Sequence, residues 1–377
     1  MAKFELHVIS FSIPFPADYG GAIDVFYKIK SLFDIGAKVH LHCFQYDRAQ
    51  APELEKYCQS VHYYSRNLSP WSLLKREAFI IESRKSESLV RFLIKDEFPI
   101  LIEGLHCCAI LDDSRLNNRK MIVRSHNIEH DYYRHLAEVE KGIFKRWYFQ
   151  RESKKLARAE ARFYQKATEL LGISEKDTKY LRKQYGKGIT IPAFHQCEQT
   201  NHKTPSGNYA FYHGNLSVGE NNEAAMYLIN TIFNDLDYPL IIAGNSPSSE
   251  LVKACEARPN VTLKSNLNSD QILEEIAGAQ INVLPTFQNT GIKLKLLAAL
   301  FQGRHCLVNT PMVHGTGLEK TCVIADTPSD FKAAINRLAN SKFSEAMHAE
   351  RIRLLLPYNN RQNAHQLMEV MLATTLA

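Results

Sequence analysis

The chain has 377 residues, more than one hydrophobic core usually serves, and this length predicts two domains of ordinary size. Apolar residues make up 45% and charged residues 23% of it, and no stretch is of low complexity, so the composition excludes disordered and fibrous proteins. The formal net charge of +6 favours anionic partners such as nucleotides, phospholipid surfaces or polyanions without selecting among them.

The N-terminal stretch MAKFELHVISF enters a strand pattern directly and lacks the apolar core of a signal peptide. No run of about 18 apolar residues occurs, so we expect no transmembrane helix. Eight cysteines are scattered without a C-x-x-C pair, which favours reduced thiols over disulfides or metal ligands. These features predict a cytoplasmic protein.

Short apolar runs rich in β-formers alternate with amphipathic patterns through the first half of the chain. The strand candidates are FELHVISF, AKVHLHCF, SVHYYS, FPILIEGL, KMIVRS, TELLGIS and GITIPAF. Helical periodicity is clear at residues 22–33 and 88–94. This alternation predicts a parallel sheet with helices on both faces, and we assign residues 1–197 to an N-terminal Rossmann-like domain.

A polar stretch with proline and glycine at residues 195–208 has the composition of a linker and marks the predicted domain boundary. A second series of strand candidates follows it: YAFYHGN, PLIIAGN, VTLKSN, AQINVLP, HCLVNT and CVIADT. We assign residues 206–350 to a second doubly wound domain and expect a C-terminal helix within 355–377 to pack back on the first. Tandem sheets of this kind place the carboxyl ends of their strands at a shared cleft, where ligands bind.

Residues 284–303, LPTFQNTGIKLKLLAALFQG, join a strand end to an amphipathic helix through a loop of small and polar residues. Such a loop leaves free backbone N–H groups at the positive end of the helix dipole. We therefore predict a phosphate site at Thr290, Gly291 and Ile292, with Lys293 and Lys295 adding charge. From these residues alone, a helix that merely packs on the sheet with its lysines in water is an equally good interpretation.

Five segments in a fixed order resemble one enzyme family. They are PADYGGAIDVFYKI, RSHNIEHDYYRHLA, GISEKD, YHGNLSVGENNEAAMYL and the loop and helix at 284–303. The ordered set, which spans nearly the whole chain, resembles the retaining GT-B glycosyltransferases of the group-one or family-four type. The resemblance implies two Rossmann-like domains facing a cleft, and transfer of a sugar from a nucleoside diphosphate sugar to a glycan or lipid-linked acceptor in surface polysaccharide biosynthesis. It implies neither a cofactor nor a metal, and no D-x-D stands at a strand end.

The resemblance implies a sugar-binding site in the first domain. Gly20 and Gly21 match a glycine pair near the donor diphosphate and the acceptor, where a Cβ would block close approach of the backbone. His126 matches a histidine that hydrogen-bonds the donor sugar, with Arg124 and Asn127 beside it. An ordinary turn and a structural histidine remain the alternatives.

Further strand ends provide the remaining binding candidates. Ser174 matches a family position near the cleft, although SEKD is equally a helix N-cap. In the second domain, Gly214 and Asn215 match the loop near the diphosphate, and Gly244 and Asn245 match the approach to the nucleotide. A plain turn is the alternative at both glycines.

The sequence departs from the family at its pair of glutamates eight positions apart, where Thr290 and Ala298 stand instead. Without these two glutamates, three possibilities are open: a different mode of nucleotide binding, a weak enzyme, or a catalytically silent relative. We expect Thr290, His126 and Lys293 to form the catalytic set, with amide dipoles and lysine charge stabilising the diphosphate leaving group. A nucleotide-sugar epimerase of the same architecture is another alternative, for which Glu103 would be a candidate carboxylate together with Glu129.

Residues 141–166 carry nine lysines and arginines against two glutamates, with aromatic residues between them. A basic amphipathic helix of this kind is a candidate for peripheral contact with the inner membrane. A solvated helix whose apolar stripe packs on the first domain is the alternative. We find no nucleic-acid-binding module and expect no nucleic acid partner.

Overall fold

The computed structural model describes residues 4–46, 48–201, 207–287 and 293–373. The chain divides into two compact units, one formed by Met1–Phe194 with Asn360–Ala377 and the other by His195–Asn359. Each unit contains one sheet of parallel strands, so the predicted pair of Rossmann-like domains is confirmed. His195 and Cys197, at the start of the polar stretch assigned to the linker, are buried.

The first sheet has seven strands in the order β3-β2-β1-β4-β5-β6-β7. They are β1 (Glu5–Ser10), β2 (Lys38–Gln45), β3 (Ser60–Ser65), β4 (Ile100–Glu103), β5 (Met121–Ser125), β6 (Glu169–Gly172) and β7 (Ile189–Thr190). The chain runs outward from β1 to β3 and then crosses to β4 on the other side. The strand order therefore reverses between β1 and β4, the place where doubly wound sheets open a crevice at their carboxyl ends.

Six helices of the first unit precede the second unit in the chain. They are α1 (Gly20–Asp34), α2 (Phe79–Glu82), α3 (Glu87–Leu93), α4 (Glu129–Val139), α5 (Ile143–Lys166) and α6 (Glu175–Tyr185). Short 3-10 helices lie at Pro52–Lys56, Pro70–Leu74, Leu105–Asp112 and Ser114–Leu116. Apolar residues of α3 and α5 cover one face of the sheet, and apolar residues of α1 cover the other.

The second sheet has six strands in the order β10-β9-β8-β11-β12-β13, and its order reverses between β8 and β11. They are β8 (Ala210–His213), β9 (Leu240–Ala243), β10 (Val261–Lys264), β11 (Ile281–Leu284), β12 (His305–Val308) and β13 (Val323–Ile324). Every residue of β11 and β12 is buried. Burial on both faces explains why these strands read as continuous apolar runs.

The helices around the second sheet complete the fold. They are α7 (Gly219–Tyr227) with a π-helical turn at Leu228–Ile232, α8 (Ser249–Glu256), α9 (Ser269–Gly278), α10 (Leu294–Gln302), α11 (Thr310–Val313), α12 (Pro328–Ala339) and α13 (Glu345–Leu355). Short 3-10 helices lie at Glu319–Thr321 and Leu356–Tyr358. The last helix, α14 (Asn360–Leu372), packs on α1 of the first unit through Ala364, Leu367 and Met371. Within the described ranges, no helix is both long and apolar enough to cross a membrane.

A buried arginine fixes the end of α10. The Arg351 guanidinium donates from Nη1 to the carbonyl oxygen of Gly303 at 2.7 Å and from Nη2 to that of Arg304. Its charge lies 4.5 Å from the ring centroid of Phe343. Carbonyl groups at a helix C-terminus have no partner within the helix, so this cation satisfies them in the protein interior.

We expect Arg351→Met to lower the free energy of unfolding by about 3 kcal/mol, because buried carbonyl oxygens lose a charged donor. Urea denaturation followed by circular dichroism measures the change. Arg353→Met on the same helix is the matched control, since Arg353 is exposed and forms a surface ion pair with Glu350, and its effect should stay within about 1 kcal/mol. Equal losses in the two variants would contradict the capping role.

Candidate functional site

In the first sheet the site begins at the carboxyl end of β1. The chain passes Phe11 and enters α1 at Gly20, the first residue of the helix. A Cβ at Gly21 would lie 2.8 Å from Cζ of Phe11 and 3.1 Å from Cε2 of Tyr19, so the two rings would have to shift to admit a larger residue. The rings of Phe11 and Tyr19 therefore pack closely on Gly21, while the approach of this loop to a ligand stays a prediction.

Five charged or titratable side chains meet under the reversal point between β1 and β4. They are Asp24 and Lys28 of α1, Glu103 at the end of β4, Arg124 in β5 and His126 after β5. Nζ of Lys28 donates to Oε1 of Glu103 at 2.7 Å and to Oδ2 of Asp24 at 3.1 Å. We refer to these five residues as the internal charge network.

Arg124 is fully buried, with every hydrogen bond directed inward. Its Nε and Nη2 each donate to a different Asp24 oxygen at 3.0 Å. Nη1 donates to the carbonyl oxygen of Ile191 at 2.9 Å, and Nη2 also donates to that of Pro192 at 3.0 Å. The structure thus places this candidate binding residue in the protein interior, where it neutralises Asp24 and holds the segment after β7.

The network keeps both of its carboxylates ionised. Burial alone would raise the pKa of Asp24, but Arg124 and Lys28 outweigh it and lower that pKa. Burial likewise opposes ionisation of Glu103, and there Lys28 and His126 prevail, so its pKa is also lowered. Two carboxylates and two cations, Lys28 and Arg124, therefore balance without a ligand.

Asp24, Glu103 and His126 also present ligand atoms within 4.8 Å of one another, the kind of arrangement that can hold a metal ion. The Lys28 ammonium group, however, lies 2.7 and 3.1 Å from the two carboxylates, where a bound cation would compete with it. The residues present therefore fit an internal ammonium ion better than a metal. The expected absence of a metal stays a prediction.

His126 lies at the edge of this network. Its Nε2 is 2.8 Å from Oε2 of Glu103, and its Nδ1 is 3.7 Å from Oδ2 of Asp24. The ring also packs edge-on against Phe11, with centroids 5.4 Å apart. Because Glu103 takes the Nε2–H group, the carboxylate orients the ring, and only its remaining exposed edge can meet a sugar.

Two other first-unit candidates are engaged locally. The carbonyl oxygen of Asn127 accepts from Oγ of Ser125 at 2.9 Å, and its side chain bonds to Glu129. Ser174 caps α6, accepting from the N–H of Asp177 at 3.1 Å and donating to its Oδ2 at 2.7 Å. Since β6 lies two strands away from β4, the structure does not bring Ser174 to the reversal point.

In the second unit Gly214, which follows β8, lies against Gly244, which follows the neighbouring strand β9. A Cβ at Gly244 would lie 2.0 Å from the carbonyl oxygen of Gly214, which no side chain can tolerate. Oδ1 of Asn215 accepts from Oγ of Ser217 at 2.7 Å, and Asn245 is exposed. The loops after β8 and β9 thus contact each other directly through their backbones.

The two predicted lysines converge on the start of α7. Nζ of Lys293 lies 3.1 Å from Oε1 of Glu220, and Nζ of Lys295 donates to Oδ1 of Asn221 at 2.6 Å. The Lys295 ammonium group also sits 5.1 Å from the ring centroid of Tyr212 at the end of β8. Burial lowers the pKa of Lys295 to about 8, and Glu220 only partly opposes the effect.

The predicted cradle of backbone N–H groups at Thr290, Gly291 and Ile292 lies outside the described residues, so it stays a prediction. Lys293 directly precedes α10 as its N-cap residue, and the helix has no side-chain cap. Ala298, at the place of the second family glutamate, is buried in the core of the second unit. The helix therefore offers no carboxylate to a ribose at that position.

Asp24 and Lys28 were missed by the sequence analysis, and Glu103 was noted only as an epimerase candidate. An aspartate and a lysine four residues apart on a helix usually form an exposed pair. Here they lie on the buried side of α1 together with Ser31. Their positions within an otherwise apolar helical stretch were the available signal.

No protein-family model matches the chain. An uncharacterised 44.6 kDa protein of the cps region of Klebsiella pneumoniae is 26% identical over 334 residues, which cover 84% of this chain and 85% of that protein.

Solved structures match nearly the whole chain at low identity. Sucrose-phosphate synthase from Thermosynechococcus elongatus has a TM-score of 0.71 and 15% identity, covering 98% of both chains. Anabaena HepE, in complex with UDP and glucose, has a TM-score of 0.66 and 10% identity over 98% of this chain and 99% of its own. WaaG, a glycosyltransferase involved in lipopolysaccharide biosynthesis, has a TM-score of 0.63 and 11% identity over 98% and 100%. The chain has the GT-B fold that its sequence predicts.

We expect Lys28→Met to lower the free energy of unfolding at pH 7 by about 3 to 5 kcal/mol, because it leaves buried carboxylates without their ammonium partner. In the wild type the pKa of Glu103 is lower in the folded than in the unfolded chain. The ionised carboxylate therefore stabilises the fold at a pH above its pKa in the unfolded chain, and this stabilisation is lost as the pH falls towards the folded-state pKa. The variant can instead protonate a carboxylate, so its deficit should shrink from pH 7 to pH 5. Urea denaturation at both pH values measures it.

Lys38→Met is the matched control, since Lys38 forms a partly exposed ion pair with Glu5. Its effect should stay within about 1 kcal/mol at either pH. A Lys28→Met deficit of the same size at pH 5 and pH 7 would show that lost packing, rather than unpaired charge, is responsible.

Proposed function

We propose that this protein is a glycosyltransferase that binds a nucleoside diphosphate sugar at the reversal point between β8 and β11. It transfers the sugar to a glycan or lipid-linked acceptor held by the first unit. The observation that carries the proposal is the convergence of Lys293 and Lys295 on the start of α7, beside the packed glycines Gly214 and Gly244. The GT-B fold supports it.

The chemistry needs positive charge at this place. As the anomeric C–O bond breaks, negative charge grows on the departing diphosphate, and preorganised cations stabilise it. Lys295 suits this role because no carboxylate of the described residues forms an ion pair with it. Lys293 is paired with Glu220 and would exchange that carboxylate for a phosphate oxygen.

We further infer that the reaction retains the configuration of the anomeric carbon, with the leaving phosphate accepting the proton of the acceptor hydroxyl. Both oxygens of Glu103 are already engaged, one by Lys28 and one by His126. Glu103 is therefore poorly suited to act as a base toward a substrate. Its engagement favours a transferase over the epimerase alternative, which needs a free carboxylate.

The likenesses point to surface polysaccharide as the product. WaaG is involved in lipopolysaccharide biosynthesis, HepE was solved with UDP and glucose, and the Klebsiella relative belongs to a cps region. We infer a hexosyltransferase of the group-one or family-four type that works in the cytoplasm without a metal ion or other cofactor. A catalytically silent binding protein is the alternative favoured by Ala298 in place of a glutamate.

The N-terminal end of α5 supports peripheral contact with a membrane. Ile143, Phe144 and Trp147 are 81%, 90% and 59% exposed, whereas Leu156 and Phe163 of the same helix are fully buried. Lys141, Lys145 and Arg146 surround this aromatic end and are exposed as well. Exposed aromatic rings among cations are suited to an anionic bilayer surface, which would bring the first unit to a lipid-linked acceptor.

We expect Lys295→Gln to weaken binding of UDP or GDP by about tenfold to a hundredfold, since a charge-assisted hydrogen bond to the diphosphate is lost. Wild-type affinity should fall as the pH rises from 7 to 9, because Lys295, with a pKa of about 8, loses its proton. The variant should lose this pH dependence. Isothermal titration calorimetry across the pH range measures both effects.

Lys253→Gln serves as the control, because Lys253 is exposed on α8. Combining Lys293→Ala with Lys295→Ala should abolish nucleotide binding. Unchanged affinity of this double variant for every nucleoside diphosphate tested would refute the phosphate assignment. Nucleotide binding by the wild type, without turnover of any matching sugar donor, would favour the silent relative.

Replacing Phe144 and Trp147 by serine should reduce binding to vesicles that contain anionic phospholipid at least about tenfold, since the exposed apolar anchors are lost. Vesicle sedimentation measures the bound fraction. Binding to purely zwitterionic vesicles should be weak for the wild type. Phe33→Ser on α1 removes another exposed aromatic ring and should leave vesicle binding unchanged; an equal loss in this control would count against the α5 surface.

A further inference from the structure

A further cation, Arg84, lies near the reversal point of the first sheet, and no described residue forms an ion pair with it. It follows α2 and is only 7% exposed. Nε donates to the carbonyl oxygen of Phe11 at 2.9 Å, and Nη1 donates to that of Ile80 at 2.7 Å. Among the described residues no carboxylate lies within ion-pair distance of Arg84, and its Nη2 makes no hydrogen bond.

A buried guanidinium without a counter-ion is costly, because charge has been taken out of water without compensation. Burial lowers the pKa of Arg84 to about 10, and repulsion by the nearby Arg66 charge also lowers it. The group is nevertheless protonated at neutral pH. An anion at Nη2 would therefore be bound with little competition from the protein.

His106 contacts the same phenylalanine through its ring, and its pKa is lowered by burial and in part by the nearby Arg84 charge. Its ring centroid is 5.2 Å from that of Phe11, whose carbonyl oxygen binds Arg84. In the described part of the chain neither ring nitrogen of His106 has a hydrogen-bond partner, and Nδ1 is buried. Burial lowers its pKa well below the ordinary value, so the neutral ring offers one N–H donor.

The neighbouring carboxylates do not neutralise the Arg84 guanidinium. Asp24 and Glu103 are already balanced by Lys28 and Arg124 within the internal charge network. Glu129 is another buried acidic group, and burial together with the neighbouring Glu160 raises its pKa to about 8. Below that pH Glu129 is mostly protonated, which leaves the Arg84 charge uncompensated.

We propose that Arg84 and His106 bind an anionic group of the acceptor, a phosphate or a carboxylate, at the carboxyl end of the first sheet. The guanidinium Nη2–H and the imidazole N–H donate to its oxygen atoms, while Phe11 holds both side chains in place. The assignment of this anion to the acceptor rests on the proposed glycosyl transfer; the anion site itself does not. A lipid diphosphate and an acidic sugar share the required chemistry.

The test starts from the full chain carrying Lys293→Gln and Lys295→Gln, in which the nucleotide site is disabled. Inorganic pyrophosphate, farnesyl diphosphate and glucuronate are titrated at constant ionic strength, and calorimetry measures the affinity. We expect at least one of these anions to bind. Adding Arg84→Gln should weaken its binding at least about tenfold, and Arg84→Lys should retain part of it.

Arg91→Gln, at an exposed site on α3, is the matched control and should leave anion binding unchanged. Should Arg84→Gln unfold, the histidine Cε1–H resonance of His106 provides a second measurement, since binding of the anion should shift it in the chain with intact Arg84. Stronger response to farnesyl diphosphate than to glucuronate indicates a lipid-linked acceptor, and the reverse indicates an acidic sugar.

Failure of all three anions to bind, or binding that survives Arg84→Gln in a folded chain, would overturn the proposal. The proposed function fails separately, if the wild type binds no nucleoside diphosphate. UDP affinity in the Arg84→Gln single variant should equal that of the wild type, which keeps the two sites distinguishable.

Discussion

Both units obey one constraint of doubly wound parallel sheets. Where the strand order reverses, the loops that leave two neighbouring strands turn to opposite faces, and the carboxyl ends of those strands are left uncovered. In the first sheet this happens between β1 and β4, and in the second between β8 and β11. The internal charge network, Arg84 and the paired lysines all lie at these two places. The candidate chemistry of the protein thus follows from strand order rather than from one sequence motif.

Charge compensation differs between the reversal points of the two sheets. In the first unit Lys28 and Arg124 neutralise two buried carboxylates, so the network is complete without a ligand. Such a network orients His126 and makes the surrounding loops rigid. In the second unit Lys295 bonds to the neutral amide of Asn221 and keeps its charge available. An anion would therefore gain more by binding beside Lys295 than beside Lys28.

Much of the architecture could be predicted from the sequence, because parallel strands buried on both faces appear as continuous apolar runs. KMIVRS, for example, contains β5, every residue of which is buried. The role of Arg124 within that strand could not be predicted, since its partner Asp24 is 100 residues away in the chain. Side-chain pairing over such distances depends on strand order, which a single sequence does not contain.

Gly303 and Ser174 also show that tertiary contacts, which a single sequence does not contain, decide the role of a residue. Gly303 is the C-cap residue of α10, and its φ of −97° is open to any residue, so backbone conformation does not require glycine there. It is glycine because a Cβ would lie 2.2 Å from Nδ2 of Asn282 on β11. The motif SEKD allowed either a cap or a binding residue at Ser174, and the structure shows the cap. Packing and capping, both set by tertiary neighbours, decide such cases.

The central claim is that a nucleoside diphosphate binds where β8 and β11 end. A crystal structure of the protein with UDP or GDP tests it most directly. The account predicts diphosphate oxygens within about 3 Å of the Lys295 ammonium group, next to the paired glycines of the second unit. A nucleotide bound elsewhere, with Lys295 still donating to Asn221 and no phosphate beside it, would contradict the account.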